Sequence, residues 1–237
     1  MFEIRKSAER GMADHGWLKS AHSFSFASYF DQDNMGFGPL RVINEDQVIA
    51  GAGFGTHGHR NMEIISYVLQ GELAHQDSMG NGSTISAGDI QRITAGTGIE
   101  HSEFNPQSDA GTHFLQIWIE PRSRDLTPGY EERRFDESSK RGCLKLVASG
   151  RGDRNVIEVN QDVRMYAGLF DADEQASWTL EAGRAAYLHL VRGTLQVNDQ
   201  PLEAGDALKI KATGHALPIH LTQADDAEVL LFDLPGF

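Results

Sequence analysis

The stretch YVLQGELAHQDSMGNGSTISAGD, Tyr67 to Asp89, has the same layout as HLVRGTLQVNDQPLEAGD, His189 to Asp206. Each runs from an apolar segment through a glycine to a second segment, a polar turn and then Ala-Gly-Asp. A layout that occurs twice restricts the chain to folds that build one β-module two times. Around both copies lie short segments rich in β-branched and aromatic residues, EIISYVLQGEL, DIQRITAG, THFLQIWIE, RAAYLHLVRGTLQV and EVLLFDL, divided by Gly, Asp, Asn or Pro. They read as strands. Helical signals are scarce: DADEQASWTLEAG contains helix formers, but its Trp178, Thr179 and Leu180 suit a strand as well. The fold class expected is all-β, a sandwich or barrel of many short strands. Asn81-Gly82 predicts a type I′ hairpin, because both residues accept positive φ.

A length of 237 residues fits two modules of about 100 each. No apolar run is long enough to cross a bilayer and no basic-then-apolar signal opens the chain, so a soluble, cytoplasmic protein without membrane association is expected. The lone Cys143 excludes an intramolecular disulfide and a thiolate metal cluster, and it reads as a small core residue. With 21 Lys plus Arg against 34 Asp plus Glu, the formal net charge is −13, which disfavours direct nucleic-acid binding. Arg133 and Arg134 stand among acids and read as part of a solvated strand or turn.

Chemistry enters with GFGTHGHRNMEI, Gly53 to Ile64. On a strand, His57 and His59 point to one face, and an unbulged continuation would add Glu63 to it. In AGTGIEHSEFN, Ala95 to Asn105, His101 and Glu103 repeat the spacing of two after a glycine turn. Two such pairs from two strands offer three imidazole nitrogens and a carboxylate oxygen, a donor set suited to a first-row divalent metal. Strand parity leaves open whether Glu63 or Glu103 supplies the oxygen. In the second copy, alignment on Gly71 and Gly193 puts Thr179 and Glu181 where the first has His57 and His59, and alignment on Ala-Gly-Asp puts Pro218 at the place of His101. The ligands are therefore absent there, and His215 and His220, five apart, read as surface groups. His22, His75 and His113 read as core histidines, and Phe24, Phe26 and Tyr29 as core aromatics.

These motifs resemble those of the cupins. The first cupin motif matches Gly53, His57, His59, Glu63 and Gly71; the end of the second matches Gly98, His101 and Asn105, with Gly88 further upstream than the usual pattern. More closely, the chain resembles the pirins, through HGWLKSAHSFSFASYFDQDNMGFGPLRVINED, FGTHGHRNMEIISYVLQGELAHQDSMGN and AGTGIEHSEFNP, over Met1 to about Arg134. The resemblance implies two cupin-type jelly-roll barrels (a bicupin), here 1–134 with the metal and 135–237 without it. It also implies His57, His59, His101 and Glu103 as ligands of one divalent transition metal per chain, Fe(II) first, with Ni, Co, Mn or Cu compatible. Glu63 is then placed to orient a ligand imidazole or accept its other N–H.

Three neutral imidazoles and one carboxylate leave a divalent ion net positive, with positions open for an anionic oxygen and O2. Some bacterial pirins are quercetin 2,3-dioxygenases, so the resemblance implies cleavage of a flavonol with O2 and release of carbon monoxide. Glu103 or Glu63 would accept the substrate's hydroxyl proton. The competing expectation is a non-enzymatic, iron-dependent redox-sensing co-regulator acting through protein partners.

Overall fold

The computed structural model describes residues 2–237. The chain divides into two compact units. One holds Arg10–Arg134 with Ile157–Gln161; the other holds the segment ending at Glu9, Phe135–Val156 and Asp162–Phe237. This division departs from 1–134 and 135–237 in two places, each with a local cause. Strand Phe2–Arg5 pairs antiparallel with strand Ala207–Lys211, and the Asp206 carboxylate accepts hydrogen bonds from Lys6 Nζ and Ser7 N at 2.8 Å each. Ile157–Gln161 joins the first unit because Asn160 N and Nδ2 both donate to Glu63, while the Asn160 carbonyl accepts from Arg122 N.

The first unit consists of two antiparallel sheets. Seven strands run in the order Gly129–Arg134, Asp89–Thr94, Glu63–Gln70, Thr112–Ile119, Leu40–Val48, Leu18–His22, Gly11–Asp14. Four more run in the order Gly53–His59, Ile99–Phe104, Glu72–Asp77, Gly82–Ser86. Two such sheets form the expected jelly roll. Because side chains alternate along a strand, Ser66 shares a face with Ile64 and Val68, Gln116 with Phe114 and Trp118, and His101 and Glu103 with Ile99. Ile64 and Ile99 belong to an apolar cluster with Ile93 and Ala95, whereas Val68 and Phe114 pack with Leu18, Val48, Leu73 and Ile85. A polar layer thus lies along these strands between two apolar ones.

The second unit repeats the turn chemistry of the first. Gly71 and Gly193 have φ of 78° and 74°, and Asp89 and Asp206 accept from Ser86 N and Glu203 N at 2.8 and 3.1 Å. His57 faces His101 across its ladder, and Thr179 faces Pro218 across the corresponding one, between strands Ala176–Leu180 and Leu217–Leu234. An apolar cluster that includes Phe170, Leu180, Leu188, Ile210, Ile219 and Leu231 fills this unit. Ala176–Leu180 is a strand, so the helix formers around it are overridden by pairing.

Local expectations fail in two places. The loop before Gly82 is organised by Asp77, whose carboxylate accepts from Met79 N, Asn81 N and Asn81 Nδ2; Gly80, rather than Asn81 or Gly82, has positive φ there. Cys143 is exposed, not core. Among the described residues no helix is long and apolar enough to cross a membrane.

At Gly71 an added Cβ would sit 2.7 Å from the Gly111 carbonyl oxygen. Left-handed backbone alone costs a non-glycine residue about 1–2 kcal/mol. Gly71→Ala is therefore expected to lower the thermal midpoint by several degrees, and an unchanged midpoint would contradict this reading of the turn.

Candidate metal centre

Strand Gly53–His59 pairs with Ile99–Phe104, and Gly53 opposite Phe104 has no room for a side chain. Close pairing there brings the histidines together. The rings of His57 and His59 are 4.7 Å apart, those of His57 and His101 4.5 Å, and those of His59 and His101 4.9 Å. One ring nitrogen from each lies within 4.8 Å of the others.

His57 Nδ1 donates to the Gly55 carbonyl at 2.8 Å, which leaves the Nε2 lone pair for a ligand. Among the described residues, buried His101 has no hydrogen-bond partner on either ring nitrogen. Burial first, then the neighbouring imidazoles, push its pKa down to about 3; the same causes take His59 down to about 4. At neutral pH these rings are uncharged. Crowded neutral imidazoles with unused lone pairs are a donor set that a divalent cation satisfies.

Glu103 follows His101 across a shift in ladder register and is fully buried. Its Oε1 accepts from Ser66 Oγ at 3.0 Å and Gln91 Nε2 at 2.7 Å; its Oε2 accepts from Gln116 Nε2 at 2.7 Å. Hydrogen bonds from three uncharged side chains make a buried carboxylate tolerable at this position. A second group within 4.8 Å consists of Glu103, His101 and His75. His101 is common to both groups, so Glu103 adjoins the three imidazoles through it. His75 Nε2 donates to Asp77 at 3.1 Å, and its ring stacks on Tyr130 at 4.8 Å.

Glu63 lies elsewhere. The strand carrying His57 and His59 ends at His59, the chain turns through Asn61 at φ 53°, and Glu63 begins a strand of the other sheet. Parity along one strand therefore does not reach it. Its Oε2 accepts from Thr94 Oγ1, Asn160 N and Asn160 Nδ2, and no imidazole is among its hydrogen-bond partners. Burial raises its pKa, with those hydrogen bonds opposing.

His57, His59 and Glu103 open onto a cavity of about 560 Å³ walled by Trp17, Leu18, Phe26, Phe54 and Trp118. Trp118 meets His59 edge-on at 4.9 Å and Phe26 at 5.4 Å; Trp17 meets Phe54 at 5.1 Å. Phe26 is thus cavity wall rather than core, whereas Phe24 is core as expected. His22 is buried, bonded to Asn44 at 2.9 Å, and also lines the cavity. His113 pairs with Glu45, and His215 and His220 are exposed.

A family model described as Pirin matches residues 3–119, and one described as Quercetinase C-terminal cupin domain matches residues 146–234. The quercetin 2,3-dioxygenase of Escherichia coli (strain K12) is 46% identical over 235 residues, 99% of each chain. The chain belongs to the pirin family. A crystal structure of YhhW from Escherichia coli, 45% identical, superposes with a TM-score of 0.95 over 100% of this chain and 99% of that one. A structure of bacterial pirin YhhW in complex with nickel(II), 44% identical, superposes with a TM-score of 0.93 over 100% of both chains. Both barrels of this pirin are cupin domains.

A divalent metal fits the residues of the pirin site on their own chemistry: orphaned His101 nitrogens, a tautomer fixed at His57, and a carboxylate alongside. Among the described residues, both groups of three or more potential ligands lie in the first unit. Sequence reasoning missed Ser66, Gln91 and Gln116, which hold Glu103. Their signal was available as polar residues at inward positions of otherwise apolar strands.

Proposed function

We propose that this chain is a metal-dependent dioxygenase that opens a flavonol such as quercetin with O2 and releases carbon monoxide. The observation that carries the reading is the aromatic-walled cavity of about 560 Å³ beside His57 and His59. Apolar pockets of roughly 300–1,000 Å³ with few polar groups are those that enclose small organic ligands. The name of the 46% identical relative points to the same chemistry.

One divalent ion, for which we propose His57, His59, His101 and Glu103 as ligands and Fe(II) as the native species, would supply Lewis acidity and redox chemistry toward O2. Ni, Co, Mn or Cu suits the same nitrogen and oxygen donors. The remaining work belongs to side chains. Phe26, Phe54 and Trp118 hold a planar ligand beside the imidazoles and exclude water. Ser66, Gln91 and Gln116 fix Glu103 in place. Of the two glutamates, Glu103 lines the cavity and Glu63 does not, so Glu103 is the one proposed to take the flavonol hydroxyl proton.

A co-regulator acting through protein partners would need an outer recognition surface and no enclosed space, so the cavity favours the enzyme. The proposed setting is the cytoplasm. Protein loaded anaerobically with Fe(II) or Ni(II) and then given quercetin and O2 is expected to release carbon monoxide in proportion to O2 consumed. Uptake no faster than that of metal-free protein would contradict the proposal.

A further inference from the structure

The cavity has a second polar feature, and it comes from the sheet that does not carry His57, His59 and His101. On strand Leu40–Val48, Asn44 and Asp46 share a face; Asn44 lies opposite His22, and Asp46 opposite Ser20, on strand Leu18–His22. All four line the cavity, and all four are buried. Three of them are partnered: His22 Nδ1 bonds Asn44 Oδ1 at 2.9 Å, and Ser20 Oγ approaches the same nitrogen at 3.3 Å. Asp46 also takes a hydrogen bond from Ser20, yet its Oδ1 is buried with no partner among the described residues. Trp118 Nε1, on another strand of the same sheet, is likewise unpartnered.

A buried carboxyl oxygen without a donor is expensive, and such a group persists where a ligand completes it. Apolar walls at Leu18, Phe26 and Phe54 offer Asp46 nothing. A donor that reaches Asp46 Oδ1 comes through the cavity, whose aromatic walls suit a molecule that is otherwise apolar and flat. We propose that Asp46, backed by Ser20, is a second anchor for the substrate: its Oδ1 accepts a hydrogen bond from a phenolic hydroxyl other than the one presented to the imidazoles. Burial pushes the Asp46 carboxyl up to about 7, with Ser20 opposing and the Glu103 and Glu45 charges adding; a hydrogen bond donated to Oδ1 would favour the charged form. The substrate class that follows is a polyhydroxylated aromatic, with hydroxyl groups at two separated places, rather than a flavonol bearing only the reacting hydroxyl. This deepens the flavonol reading above and rests on it.

A site built to bond a hydroxyl discriminates against ligands that lack it. The test is anaerobic binding of quercetin and of 3-hydroxyflavone to the Ni(II)-loaded full chain, followed by tryptophan fluorescence, with metal content measured on every sample. Wild-type protein is expected to bind quercetin at least ~10-fold more tightly, the effect of one hydrogen bond to a buried acceptor that is otherwise left unsatisfied. Asp46→Leu should remove that preference, weakening quercetin by roughly 10- to 100-fold while leaving 3-hydroxyflavone within about 2-fold and the nickel content unchanged. Asp46→Asn keeps an accepting oxygen and should retain part of the preference, and it serves if the Leu variant does not fold. Equal affinities for the two ligands in the wild type, or equal losses for both in Asp46→Leu, would overturn the anchor while leaving the flavonol reading intact. Failure of the wild type to bind either ligand would instead overturn the flavonol reading and the anchor with it.

Discussion

His101→Ala protein, loaded with nickel and dialysed against a chelator, is expected to retain almost no metal, whereas His215→Ala treated in the same way retains its full complement. His101 is the one imidazole common to both clusters of potential ligands, and among the described residues neither of its nitrogens has a hydrogen-bond partner. Loss of an outer partner of a ligand typically weakens metal binding about 10- to 100-fold, so loss of the ligand itself should exceed ~100-fold. The fold should tolerate the change, since the apolar clusters on either side of the polar layer are untouched. His57→Ala should behave like His101→Ala, because the two rings face each other across the ladder at 4.5 Å. Equal metal content in the three variants would contradict the assignment.

The second large effect separates the two glutamates. Glu103→Gln keeps the size of the side chain and removes the charge that balances the cation, so metal affinity should fall by roughly 10- to 100-fold. The new amide also places an NH2 against the Gln91 or Gln116 amide that now donates to it, which disorders the polar layer further. Glu63→Gln should keep its metal, because Thr94 and Asn160 hold that side chain at the start of a strand in the other sheet. Metal retention after chelator dialysis of the two variants decides the matter. Loss from Glu63→Gln with retention in Glu103→Gln would show that the carboxylate beside the imidazoles has been misassigned.

Features governed by the period of two were legible in the sequence. His57 and His59 fall on one face, and so do His101 and Glu103, because spacing within one strand fixes direction. The duplication was legible as well: Gly71 and Gly193, Asp89 and Asp206, and even the replacement of the His57–His101 pair by Thr179 and Pro218 appear at corresponding ladder positions. What failed were inferences carried across a chain reversal. Counting from His59 along an unbroken strand would give Glu63 the face of His57 and His59, but the turn at Asn61 sends the chain into a different sheet. The placement of Phe2–Glu9 depends on the pairing of Phe2–Arg5 with Ala207–Lys211, some 200 positions away, which no local pattern encodes. His75 illustrates a third case. A core histidine was the expectation, and it is indeed buried on Asp77 and Tyr130, yet burial there brings it within reach of Glu103 and His101.

The most direct measurement is an anomalous-difference map from crystals of the full chain soaked in nickel. A single strong peak per chain is predicted, about 2.1 Å from ring nitrogens of His57, His59 and His101, at the wall of the cavity that Asp46 lines. A peak in the second unit, two peaks per chain, or none among these three histidines would contradict it.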